Sequence, residues 1–457
     1  VSATEAADLR PAAAARPSFG EALRVYAVIG LVNFGGPAGQ IALMHRVFVE
    51  ERKWISEERF LHALNFCMLL PGPEAQQLAT YVGWLLHGTR GGVVAGTLFV
   101  IPGLVVILAL SAAYAAFRGT TWLDSLFFGL KAAVLAIVIE AVVRIGRRAL
   151  KSRAAVMIAA AAFLAIFALH VPFPLIIVAA GLFGFAAARF APGLMRTGGT
   201  AGADNRLANG MAEGERPTIG RMVRIVAVWG GLWAAPVVAL GLAFGFDGFY
   251  PQLGLFFSKM AVVTFGGAYA VLAYVADAAV ATYGWLRPGE MLDGLAMAET
   301  TPGPLIIVLS FVGYLAAFRE ATGLPPHVAG LVGGLLVAWV TFVPSFLWIF
   351  LGAPSMERLR GSRLLAGALT AITAAVVGVI LNLSVWLGLH VLFGTVGTLE
   401  FGPLSPAWPV WGTVDPWAVL LFVLSAFALF RLRLGVVATL VVAAAAGVVI
   451  RLALPAI

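Results

Sequence analysis

The chain has 457 residues, 61% of them hydrophobic and 11% charged, with a mean hydropathy of +0.97 and a formal net charge of +8. A soluble domain averages about 45–50% apolar and about 25% charged residues. The composition excludes a disordered chain, a disulfide scaffold and an ordinary soluble enzyme, and predicts an all-α polytopic membrane protein.

From the N-terminus, residues 1–19 are Ala-rich and polar and read as a loose cytoplasmic tail. Thirteen apolar segments follow, near 22–44, 60–88, 91–117, 123–147, 154–170, 173–190, 222–246, 252–281, 290–318, 327–352, 364–392, 416–430 and 434–454. Several exceed the ~20 residues that cross ~30 Å of hydrocarbon. Segment 60–88 reads either as a full crossing or as a re-entrant one. The longest polar stretch, 191–221, reads as a cytoplasmic linker between a first half, 20–190, and a second half, 222–457. If all thirteen segments cross with the N-terminus inside, 21 of the 30 basic residues face the cytoplasm and 7 the outside. That bias supports a cytoplasmic N-terminus. The remaining two, Lys131 and Lys259, lie inside predicted spans. The lone Cys67 allows no internal disulfide, the six histidines show no metal-site spacing, and there is no phosphate-binding loop. No cofactor and no metal is expected.

The two halves are related. Phe34-Gly35-Gly36 recurs as Phe265-Gly266-Gly267, Trp54 as Trp285, and Pro71-Gly72-Pro73 as Pro302-Gly303-Pro304, all at one offset of 231 residues. Tyr81-Val82-Gly83 matches Phe311-Val312-Gly313 at 230. Beyond an insertion near 319–327, Pro102 pairs with Pro344 and Ala132-Ala133-Val134 with Ala374-Ala375-Val376 at 242. Seven crossings separate the first spans of the halves, so the repeats are expected in inverted topology. Paired Gly/Pro-interrupted segments in two inverted halves point to a secondary transporter with broken helices at its binding site.

The block FGGPAGQIALMHRVFVEERKWISEERFLHALNFCMLLPGPEAQQLATYVGWLLHG (34–88), with FGGAYAVLAYV (265–275) and DGLAMAETTPGPLIIVLSFVGY (293–314), resembles the two signature blocks of the chromate ion transporter family. The resemblance covers about 20–430 and matches a long-chain, two-domain member. It implies a bacterial inner-membrane protein that exports chromate, coupled to the proton motive force. Ser310 stands where a glutamine is common in that family.

A tetrahedral dianion needs hydrogen-bond donors and positive potential, which helix N-termini supply. Gly72, Gln76 and Gln77 at the first Pro-Gly-Pro, and Thr300, Thr301 and Gly303 at the second, are candidate substrate-binding residues. So are Asn33, Gly35, Gly36 and Gln40 at the first Phe-Gly-Gly, and Thr264, Gly266 and Gly267 at the second. The alternatives are a simple proline kink, close helix packing through small residues, and polar side chains that serve only the backbone groups freed by the breaks. Lys131 and Lys259 are candidates because an intramembrane cation is costly to bury; snorkelling is the competing reading. Glu74 and Glu299 flank the two Pro-Gly-Pro motifs and are the candidates for proton coupling, whereas Glu140 pairs simply with Arg144. The partners expected are chromate, protons and lipid, with no nucleic acid, and a homodimer is among the assemblies admitted. Sulfate or another oxyanion, in either direction, and an anion channel are the rival functions. A membrane-bound chromate reductase is disfavoured, because no haem or flavin motif is present.

Overall fold

The structure is a computed structural model and describes residues 17–34, 36–68, 70–191, 218–265, 268–287, 289–320, 323–353, 363–399 and 405–453. Nearly all of the expected tail and linker, and Gly35, Gly266 and Gly267, lie outside the described residues. The first half contains α1 (Phe19–Val32), α2 (Gly36–His45), α3 (Glu57–Cys67), α4 (Glu74–Phe117), α5 (Thr121–Ala149), α6 (Arg153–Phe167) and α7 (Phe173–Phe190). The second contains α8 (Ile219–Phe244), α9 (Phe249–Val263), α10 (Ala268–Asp277), α11 (Glu290–Thr300), α12 (Val308–Arg319), α13 (Pro326–Gly352), α14 (Arg363–Leu392), α15 (Pro416–Phe430) and α16 (Val436–Ala453). A small antiparallel hairpin, Val396–Thr398 with Ala407–Pro409, lies between α14 and α15.

Seven helices are long and apolar enough to cross a membrane, and α6, α15 and the stretch Leu305–Arg319 are shorter apolar helices. The protein is therefore a polytopic helical membrane protein. Several of the thirteen apolar segments are not single rods. Segment 22–44 divides into α1 and α2, 252–281 into α9 and α10, and 290–318 into α11 and α12. The cause is local. Gly36, Gly72 and Gly303 adopt φ of 66°, 116° and 105°, a region that interrupts a right-handed helix, and the flanking prolines cannot donate to the preceding turn.

Segment 60–88 ends one helix and starts another. α3 stops at Cys67, and α4 begins at Glu74 after the Pro-Gly-Pro break. α4 then reverses at His87 and Gly88, whose φ/ψ are non-helical. The two arms pack so closely that a Cβ on Gly83 would come within 2.4 Å of the Gly91 carbonyl oxygen. The second half repeats this hairpin with α12 and α13, where a Cβ on Gly333 would lie 2.4 Å from the Gly313 carbonyl oxygen. The first arm of α4, 74–86, rises only about 20 Å, short of a full crossing.

Two large apolar clusters form most of the interior, and two small ones join α6 and α7 to α14. The smaller of the large pair joins α1, α2, α3 and the start of α4 to Phe346, Ile349 and Phe350 of α13. The larger packs the remaining helices around α5, α9, α11, α12, α13 and α14. α13 thus belongs to both. α8 leans on α13 through Trp229, stacked 5.1 Å from Phe346, and leaves most of its surface for lipid.

Candidate functional site: two interlocked helix breaks

The four breaks meet in crossed pairs. The Gly72 N–H, in the first half, donates to the Thr264 carbonyl of the second at 2.7 Å. The Gly303 N–H, in the second half, donates to the Asn33 carbonyl of the first at 3.4 Å. Gly72 corresponds to Gly303 and Thr264 to Asn33 at the same repeat offset, so one contact is made twice. The following spans repeat the exchange. A Cβ on Gly103 would fall 2.0 Å from the Pro302 carbonyl oxygen, and one on Gly72 would fall 3.3 Å from Ser345 Oγ. Gly103 and Ser345 are again repeat partners.

Between the breaks lies a small cleft lined by Pro37, Gln40, Pro73, Glu74, Ala75, Pro304, Leu305 and Ile306. The triplets 73–75 and 304–306 are equivalent positions of the two halves. Each is the start of a helical segment: Glu74 opens α4, and Leu305 opens the short 3₁₀ turn that runs into α12. First-turn N–H groups have no acceptor within their own helix, and the dipole adds positive potential there. Two helix starts on one cleft form an anion-favouring place. Glu74 supplies a carboxyl on one side only; its counterpart is Leu305.

The polar side chains around the cleft are committed to the protein backbone. Asn33 Oδ1 accepts from the Gly303 N–H at 2.5 Å while its Nδ2 donates to the Phe99 carbonyl. Gln40 Nε2 donates to the carbonyls of Gly303 and Asn33, at 2.5 and 3.1 Å. Gln77 Nε2 donates to the Pro71 carbonyl and Gln76 Nε2 to that of Phe342, on α13. Thr264, Thr300 and Thr301 turn their hydroxyls onto Met260, Met297 and Ala298 of their own helices. In this conformation the breaks satisfy one another. The Oε1 atoms of Gln40, Gln76 and Gln77, and the hydroxyls of Ser310, Thr341 and Ser345, are buried without a hydrogen-bond partner. Unsatisfied buried polar atoms are costly. Of these, Gln40 lines the cleft, and its Oε1 gains from a rearrangement or a polar guest.

The lysines do not join the breaks. Lys259 is exposed while Thr264 is buried, because five residues turn a helix by about 140°. Lys131 Nζ lies 3.0 Å from Asp293 Oδ1, near the start of α11 and about 10 Å of helix rise from Thr300. Asp293 also accepts from the Tyr114 hydroxyl at 2.8 Å. Next to it, Glu290 binds Arg118, pairs with both terminal nitrogens of Arg319 at 2.6 Å, and accepts from the Arg287 N–H. Sequence reasoning passed over Glu290 and Asp293. Two acids at the start of an apolar segment look like solvated ends, and the signal available was Lys131, a mid-span cation needing a counter-ion. Glu299 is buried beside Thr300. Glu140 pairs with Arg144 at 3.4 Å, as its spacing suggests.

Fold and site together define a polytopic helical membrane protein organised around broken helices. The chain belongs to the chromate transporter family, which it matches over residues 20–185 and 251–448; this is a family of transporters, not of enzymes. It is 34% identical to the "Chromate transport protein" of Pseudomonas aeruginosa over 355 residues, 77% of this chain and 76% of that one. It is 28% identical over 353 residues to the "Chromate transport protein" of Cupriavidus metallidurans, covering 77% and 78%. A "Probable chromate transport protein" of Synechococcus elongatus is 26% identical over 364 residues, covering 79% and 82%. No solved structure matches the chain.

Proposed function

We propose that the protein exports chromate from the cytoplasm across the bacterial inner membrane, coupled to proton entry, by alternating access between two inverted repeats. The observation that carries this reading is the cleft lined by equivalent helix starts, 73–75 and 304–306, one from each half. The names of the relatives supply the substrate. Chromate displaces the crossed contacts: its oxygens take the first-turn N–H groups, and the donors of Asn33, Gln40, Gln76 and Gln77 rotate from backbone carbonyls onto the anion. Thr264, Thr300, Thr301 and the glycines of the breaks give the chain its close approach. Glu74 faces the anion site directly, so proton and dianion favour each other's presence there. Glu299, buried at the other break, is the second proton-coupling carboxyl.

The test is flux in proteoliposomes. Labelled-chromate exchange should be driven by a pH gradient and competed by excess sulfate only weakly, and Glu74→Gln and Glu299→Gln should each abolish the pH-driven part. Full retention of pH-driven exchange in both variants contradicts the coupling. Preferential flux of sulfate contradicts the substrate, and single-channel currents contradict the mechanism.

A further inference from the structure

The break-bearing helix α11 is held at its other end by an ionic cluster that the first half does not repeat. The residues at the positions of Glu290 and Asp293 in the first half are Arg59 and His62, and Lys131 is matched by Thr373. Thr373 merely returns its hydroxyl to Leu369 of its own helix. Everything that grips Asp293 comes from the first half, Lys131 from α5 and Tyr114 from α4. The cluster is therefore a contact between halves, at the base of the helix that ends in Thr300-Thr301-Pro302-Gly303.

Its two acids are ligated unequally. Glu290 receives four donors, from Arg118, twice from Arg319, and from the Arg287 N–H. A carboxylate has about four lone-pair sites, so no direction is left for a proton. Asp293 receives the Tyr114 hydroxyl on Oδ2 and the Lys131 ammonium 3.0 Å from Oδ1, two donors against four, which leaves it lone pairs for a proton. The other charged group that bears on Asp293 is Glu290, whose own charge is matched by Arg118 from the α4–α5 turn and Arg319 from α12. α16 also packs on α11; its Arg451 is paired with Asp415.

We infer that Asp293 and Lys131 form a proton-operated latch between the halves, with Glu290 as the fixed pivot of α11. A proton taken up at Asp293, on a lone pair that neither Tyr114 nor Lys131 occupies, forms an O–H bond, removes the charge that holds Lys131, and leaves the ammonium free. Loss of the same proton restores the pair, so one proton is bound and one released per cycle. Released at Asp293 and anchored at Glu290, α11 swings. Its far end moves Pro302 against Gly103, and Gly303 against Asn33 and Gln40. Asp293 and Lys131 are positioning residues that touch no substrate, and the transport readouts below rest on the proposed chromate function.

The experiment uses the full chain in proteoliposomes, with labelled chromate as probe. Counterflow at equal pH on both sides is compared with accumulation driven by a pH gradient. Asp293→Asn should keep counterflow, change its pH profile to the one set by Glu74 and Glu299 alone, and lower gradient-driven accumulation about tenfold, within the usual range of coupling factors. Lys131→Met should act in the same direction, and Asp293→Glu should keep coupling with a displaced pH profile. An Asp293→Asn protein with the wild-type profile and accumulation overturns the latch. If that variant does not insert, unchanged profiles in Lys131→Met and Asp293→Glu overturn it, as does failure of all three to fold. A wild-type protein with no chromate flux breaks the substrate reading instead. The latch is then read from hydrogen exchange of the α11 amides, which should speed on acidification beyond the intrinsic rate in the wild type but not in Asp293→Asn; equal behaviour overturns it.

Discussion

The two halves use the same backbone device with different side chains. Each Pro-Gly-Pro glycine donates its N–H to the residue that precedes the other half's Phe-Gly-Gly. Around that shared geometry, Asn33 corresponds in the repeat to Thr264, Glu74 to Leu305, Gly103 to Ser345, and Glu290 and Asp293 to Arg59 and His62. Backbone symmetry builds a cleft with two helix starts. Side-chain asymmetry gives the cleft one carboxyl and one ionic clamp. A transporter needs both, since two equivalent gates supply alternating access and a difference between them supplies coupling.

The comparison can be broken at paired positions, beginning with the steepest. Gly103→Ala puts a methyl group 2.0 Å from the Pro302 carbonyl oxygen and should destabilise by about 3 kcal/mol through overpacking. Its partner Ser345→Ala removes an unpartnered hydroxyl and should change stability by less than about 1 kcal/mol. Thermal unfolding in detergent reads both, and equal shifts contradict the crossed packing. Glu290→Gln strips charge from a buried carboxylate ligated by two guanidinium groups and should cost about 3 kcal/mol. Glu140→Gln, in the half-exposed pair with Arg144, should cost less than about 1 kcal/mol. Asn33→Ala leaves the Gly303 N–H with only its 3.4 Å backbone acceptor. It should cost about 1–2 kcal/mol and slow chromate counterflow about tenfold. Thr264→Val should be nearly silent in the same assay, because that hydroxyl serves Met260 and the Gly72 contact is made by backbone.

What the sequence discloses here follows from what repeats. The offset of 231 locates the four breaks, and that of 230 pairs Gly83 with Gly313, whereas the hairpins those glycines pack are legible only in the fold. The apolar runs reveal how many segments seek lipid. Hydropathy alone hides where a run is cut, but the glycines and prolines inside 22–44 and 290–318 mark the cuts that Gly36 and Gly303 make. The crossed bonds are invisible for a different reason. They join residues 192 and 270 positions apart, and only the backbone of Gly72, Thr264, Gly303 and Asn33 takes part in the repeated contact. The placing of Lys131 is a third case. Its isolation in a span marks it as costly, but the partner that explains it, Asp293, stands at an element end where acids are common. Lys259 shows the opposite error, since nearness in sequence to Thr264 is cancelled by the helical turn.

The central claim is that anion and proton meet at the cleft between the Pro-Gly-Pro breaks, with Glu74 as the carboxyl that joins them. The most direct measurement is chromate flux into proteoliposomes under an imposed pH gradient, wild type beside Glu74→Gln, with counterflow at equal pH as the control for folding and binding. The account predicts gradient-driven accumulation in the wild type and none in the variant, while counterflow persists in both. Accumulation in Glu74→Gln equal to that of the wild type would contradict it.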